Sequence, residues 1–104
     1  MGGRKQKRHR LDQIVPVGFV GAGLRFAGVL INISTTGMLV KCAVKIEPGA
    51  MLRAGIEMGT EVIRTAVVAR RCVEGVGVGF QFLGMSPRDN QKLHILLMRI
   101  SKPR

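Results

Sequence analysis

From Ile14 onward, apolar and polar residues alternate over short stretches that are interrupted by glycine, proline and small polar residues. The stretches Ile14–Val20, Leu24–Ile33, Met38–Val44, Met51–Met58, Glu61–Val73 and Val76–Leu83 are rich in the β-branched and aromatic residues that fit a pleated, half-buried surface. Between them stand Gly21-Ala22-Gly23, Ser34 to Gly37, Glu47-Pro48-Gly49, Gly59-Thr60 and Glu74-Gly75, all suited to reversing the chain. Six closely spaced strands predict a mainly β fold, a small six-stranded antiparallel β-barrel. Alternation along residues 62–70 is imperfect, so burial of one face is expected there only in part.

The period then changes. Leu93, Leu96, Leu97 and Ile100 recur at i, i+3, i+4 and i+7, which places them on one face of a helix. Ser86-Pro87-Arg88-Asp89 supplies a capping serine, a proline suited to the first helical position and a carboxylate near the positive helix end. The expectation is a C-terminal α-helix over about residues 86–100 that closes one end of the barrel.

At 104 residues the chain has room for one core, and 46% hydrophobic against 22% charged residues is a folding composition. Residues 14–104 are therefore read as one barrel-plus-helix domain. Residues 1–13 are polar, basic and aperiodic, and are read as a flexible arm that orders on binding. No apolar run approaches the roughly 20 residues of a membrane-spanning helix, and the start lacks a convincing secretory cleavage site. The reading is a cytoplasmic protein. Cys42 and Cys72 are too few for a disulfide framework, and both are expected as small buried thiols in a reducing compartment.

Seventeen Lys and Arg against six Asp and Glu give a net charge of +11, which favours anionic partners. Arg4, Lys5, Lys7, Arg8 and Arg10 concentrate five of the cations at the start. Such a cluster fits a ligand clamp or a solvated basic tail better than a uniformly basic surface. Its guanidinium groups can hold phosphate bidentately, pair with guanine O6 and N7, or stack on a base.

Asn32-Ile33-Ser34-Thr35-Thr36-Gly37 is the second polar feature. Strict alternation would put Val29, Ile31 and Ile33 on one face and Leu30, Asn32 and Ser34 on the other, so that both polar side chains reach a common ligand. Gly37 has a backbone reason, a positive φ or a close approach where the strand turns. Taken alone, these six residues also read as an ordinary hairpin turn.

An Arg-x-x-x-Arg at Arg4 and Arg8, followed by an Asn-x-Ser-x-x-Gly within a six-stranded pattern, resembles the PilZ domain family. The resemblance extends over the late Val76–Phe80 strand and the terminal helix. It implies a small β-barrel that binds the bacterial second messenger cyclic di-GMP. Residue by residue, it implies that Arg4 and Arg8 engage phosphate and guanine, that Asn32 and Ser34 hydrogen-bond the guanine edge, and that Gly37 completes the second motif. Asn32 stands where aspartate is commoner, and a neutral amide both donates and accepts but without charge assistance. An alternative register ends on Arg10 and puts Gln6 at the first arginine position.

The function expected is a single-domain, non-enzymatic receptor that signals to a downstream protein when its arm orders over cyclic di-GMP. No catalytic group, metal ligand set or cofactor is expected, since His9 and His94 form no recognisable cluster with Cys42 and Cys72. Two alternatives share the composition: a nucleic-acid-binding small barrel, disfavoured by the absence of Trp and Tyr, and a ligand-free adaptor of the same fold.

Overall fold

The structure is a computed structural model that describes His9–Arg10 and residues 13–100. Seven strands and one helix follow in the order β1 (His9–Arg10), β2 (Pro16–Gly21), β3 (Leu24–Ile33), β4 (Gly37–Lys41), β5 (Met51–Met58), β6 (Glu61–Val73), β7 (Gly77–Gly84) and α1 (Pro87–Ile100). Six of the strands run side by side as β3-β2-β5-β6-β7-β4, and β4 pairs back onto β3 to close an antiparallel barrel. The two-residue β1 continues the line of β2, pairing with the end of β3 that β2 does not reach.

Turn chemistry sets the hairpins. Gly21 pairs with Leu24 across Ala22-Gly23, whose φ values of 51° and 76° are those of a primed turn matched to strand twist. Met58 pairs with Glu61 across Gly59-Thr60 in the same economical way. The strand expected over Met38–Val44 stops at Lys41, and the chain beyond it is tied back by Gly49 N–H to Ala69 O and Ala69 N–H to Ala50 O.

Along β5 the burial alternates without a break, with Leu52, Ala54, Ile56 and Met58 inside. They meet Val17, Ile63 and Val67 from neighbouring strands, and Phe19 stacks between Phe26 and Phe80 at centroid distances of 4.8 and 4.7 Å. Burying each such side chain stabilises the fold by roughly 1.5–3 kcal/mol.

The helix closes the barrel as its periodicity predicts, with Leu93, Leu96 and Leu97 buried in the same core and Ile100 packed against it. It also solves a backbone problem. Pairing of β6 with β7 begins only at Ala66, so residues 61–65 present a free strand edge on that side. Lys92 Nζ donates to Val62 O at 3.2 Å, and Asp89 Oδ1 accepts the Arg64 N–H at 3.0 Å. Asp89 is held in turn by the capping Ser86, whose hydroxyl accepts the Asp89 N–H and donates to Oδ2. The Arg64 amide chiefly keeps the Asp89 carboxyl below its ordinary 3.8; desolvation, the next largest influence, opposes it, and the Ser86 hydroxyl and the Lys92 and Arg64 charges add to the lowering.

Three sequence expectations need correction. Strict alternation along β3 fails: Leu30 pairs with Val40 and Asn32 with Leu39, so Ile31 is an extra residue in a β-bulge. The bulge turns Leu30 and Ile33 both into the core and leaves Val29 exposed. Cys72 is exposed rather than buried, because β6 is there leaving the barrel toward the turn before Gly77. Cys42 is half-buried, and burial first and Cys72 second push its thiol pKa up. The third concerns β6: the sequence predicts burial of one face only in part, but Ile63, Thr65, Val67 and Ala69 are all buried on it, and Val68 is buried as well. No helix among the described residues is long and apolar enough to cross a membrane.

Candidate functional site

The Asn32–Gly37 segment lies at the β3–β4 turn, and a single hydroxyl organises it. Ser34 is 1% exposed. Its Oγ accepts the N–H of Thr36 at 3.2 Å and of Gly37 at 3.3 Å, and lies 3.3 Å from Gly37 O, to which it donates. The Ser34 N–H donates to Gly37 O at 2.8 Å. The Ser34 hydroxyl thereby holds the turn. Gly37 has the close approach expected of it, since a Cβ there would stand 2.5 Å from Phe80 O.

The turn borders a cleft of about 580 Å³. Asn32 from β3, Ser34 from the turn and Gly37 from β4 line it, and Arg70, Arg71 and Gln81 line it from β6 and β7. Cross-strand register builds its floor: Asn32 faces Leu39, Leu39 faces Gly79, and Gly79 faces Arg71. At the other end of this row, Arg10 is the register partner of Asn32. A five-strand row thus begins and ends at an arginine position, with an amide and a glycine between. Without a side chain at Gly79 the middle of the floor stays open.

Sequence reasoning missed Arg70 and Arg71. In a regular strand consecutive side chains point to opposite faces. Here Ala69 pairs with Phe80 and Arg71 with Gly79, so Arg70 is a bulge residue, and both arginines are exposed along the same cleft. Arg70 Nε donates to Gln81 Oε1 at 2.6 Å, which fixes its guanidinium at the rim. The signal available in the sequence was the charged pair itself, at the end of a stretch whose alternation is already imperfect. Arg4 and Arg8 lie outside the described residues, as does most of the arm expected over residues 1–13. Among the described residues no cluster of three or more His, Cys, Asp or Glu is placed to hold a metal ion.

The family model of the PilZ domain matches residues 4–99. The chain belongs to the PilZ domain family. The PilZ fold here is also that of several solved structures. The PilZ domain of YcgR from Escherichia coli with c-di-GMP is 16% identical, with a TM-score of 0.76 over 97% of this chain and 93% of that one. The Bacillus subtilis inhibitor of motility MotI/DgrA is 20% identical, with a TM-score of 0.73 over 100% of this chain and 55% of that one. The c-di-GMP complex of MrkH from K. pneumonia is 16% identical, with a TM-score of 0.78 over 97% of this chain and 52% of that one. This PilZ chain therefore spans about half the length of MotI/DgrA and MrkH. Comparison with curated protein sequences gave no match.

Proposed function

We propose that this PilZ domain is a cyclic di-GMP receptor and that the cleft beside Asn32 is its binding site. One observation carries the reading: Asn32, Leu39, Gly79 and Arg71 follow one another across an open, partly polar floor with Arg70 and Arg71 on one wall, and Arg10 is the backbone register partner of Asn32. A cyclic dinucleotide needs that combination, since it carries two phosphates and two guanine edges. Guanidinium groups bind phosphate bidentately and pair with guanine O6 and N7. The Asn32 amide both donates and accepts, which suits a guanine edge.

In this reading Arg4 and Arg8 of the family pattern act together with Arg10, and Arg70 and Arg71 supply positive charge from the opposite wall. Ser34 and Gly37 act through the backbone, by fixing the turn that presents Asn32. Ligand binding orders the residue 1–13 arm across the cleft mouth and changes the surface shown to a downstream protein, the work of a receptor rather than an enzyme. The site of action in this reading is the cytoplasm.

Calorimetric titration of cyclic di-GMP at near-physiological salt tests this. The expected result is saturable binding that weakens at least about tenfold in Asn32→Ala and in Arg8→Ala, with unfolding midpoints unchanged, a loss of about 1.4 kcal/mol. No binding by the wild-type protein would leave the ligand-free adaptor as the standing alternative.

A further inference from the structure

The barrel carries a second cationic surface on the side away from the cleft. On the outer face of β2, β3, β5 and the first half of β6, two cross-strand rows lie next to each other. One runs Ala27, Gly18, Gly55, Arg64, and the other runs Arg25, Val20, Arg53, Ala66. Small residues make the first row a low floor, and a Cβ added at Gly18 would meet nothing within 4 Å. The result is an open depression of about 360 Å³ edged by three arginines. None of the three is in an ion pair with a carboxylate among the described residues.

Val20 sits between Arg25 and Arg53 and is 40% exposed, and Met51, the next outward residue of β5 beside Arg53, is 64% exposed. An exposed apolar centre with arginines around it has the anatomy of a protein interface, in which desolvated apolar contacts and arginine anchors carry the affinity. A nucleic-acid backbone would use the charge but leave Val20 and Met51 unmatched, and no aromatic side chain is exposed on these rows for a base to stack on. A second copy of this face would oppose guanidinium to guanidinium. The six acidic residues of the sequence are scattered from Asp12 to Asp89, so no acidic segment within it matches the face.

We propose that this face is a docking surface for a protein segment that presents carboxylates around an apolar side chain, such as an acidic amphipathic helix. The proposal is independent of the cyclic di-GMP reading, because the face and the cleft share no residue. Arginine suits such a partner through its bidentate fit to carboxylate, and the apolar centre supplies the contact that simple charge attraction lacks.

The test uses the full chain and three labelled probes at near-physiological salt: a helical peptide with glutamates flanking a leucine stripe, polyglutamate of equal charge, and a single-stranded oligonucleotide. Fluorescence anisotropy should show preferential binding of the amphipathic peptide. Arg53→Glu should weaken it at least about tenfold and Val20→Ser about threefold, while the cleft variant Asn32→Ala leaves it unchanged. Backbone amide shifts at Gly18, Val20 and Gly55 on adding the peptide give a readout that needs no variant. Equal binding of polyglutamate, tighter binding of the oligonucleotide with loss in Arg53→Glu, or shifts confined to the cleft would each overturn the proposal. So would the absence of peptide binding.

Discussion

The two sides of the barrel are built by opposite rules. Around β2 and β5 the register is continuous, from Val17 opposite Ile56 to Met58 opposite Glu61, and the inward residues alternate without interruption. Around the cleft, register slips beside Ile31 and again beside Arg70. A regular ladder buries every second side chain and is good for stability; a bulge breaks that accounting and re-aims side chains. The regular side holds the barrel together, and the irregular side presents Asn32, Arg70 and Arg71.

The largest expected effect separates these roles. Ile56→Ala removes a fully buried side chain from the regular side and should destabilise the fold by about 3 kcal/mol in denaturant unfolding, because transfer and cavity costs add. Arg71→Ala on the irregular side should change the same midpoint by less than about 0.5 kcal/mol. Comparable costs for the two would break the comparison.

Gly37→Ala probes the point where the two roles meet. The added methyl must move the Phe80 carbonyl and with it the β4–β7 ladder, for an expected cost of about 2 kcal/mol. Unfolding experiments check the cost, and a loss of ligand binding disproportionate to it would sharpen the assignment of Gly37 to the site's framework.

These sites also mark what the sequence makes legible. The hairpins over Ala22-Gly23 and Gly59-Thr60 and the helix starting at Pro87 follow from local chemistry, namely turn residues, a capping serine and a 3.6-residue period. The six strands were readable because β5 and most of β2 alternate cleanly. The bulges were not, since an extra residue such as Ile31 is chemically indistinguishable from its neighbours until the partner strand is known. One slip reverses every face that follows, which is why strict alternation puts Leu30 outside with Asn32. Asn32, Ser34 and Gly37 were grouped by the family pattern rather than by strand alternation, which the bulge at Ile31 breaks. The contribution of Arg70 and Arg71, some forty residues further on, depends on β7 lying between β4 and β6.

A smaller effect concerns the helix that caps the β6 edge. With its folded pKa held below 3.8, Asp89 stabilises the protein fully above that value. The contribution is lost as pH falls through the lowered folded pKa. Asp89→Asn should cost about 1 kcal/mol at neutral pH. Unfolding measured at neutral pH and near pH 3 should show a smaller pH dependence in the variant than in the wild type, and ligand binding at neutral pH should be unchanged. A variant as pH-sensitive as the wild type would refute the anchoring role.

The central claim is that the irregular side is the ligand side, and backbone amide shifts during a cyclic di-GMP titration test it most directly. The prediction is that Arg10, Asn32, Leu39, Arg71 and Gly79 shift together with one saturation curve while Gly18 and Gly55 on the regular side stay in place. Shifts centred on Gly18 and Gly55, with Asn32 and Arg71 unmoved, would contradict it.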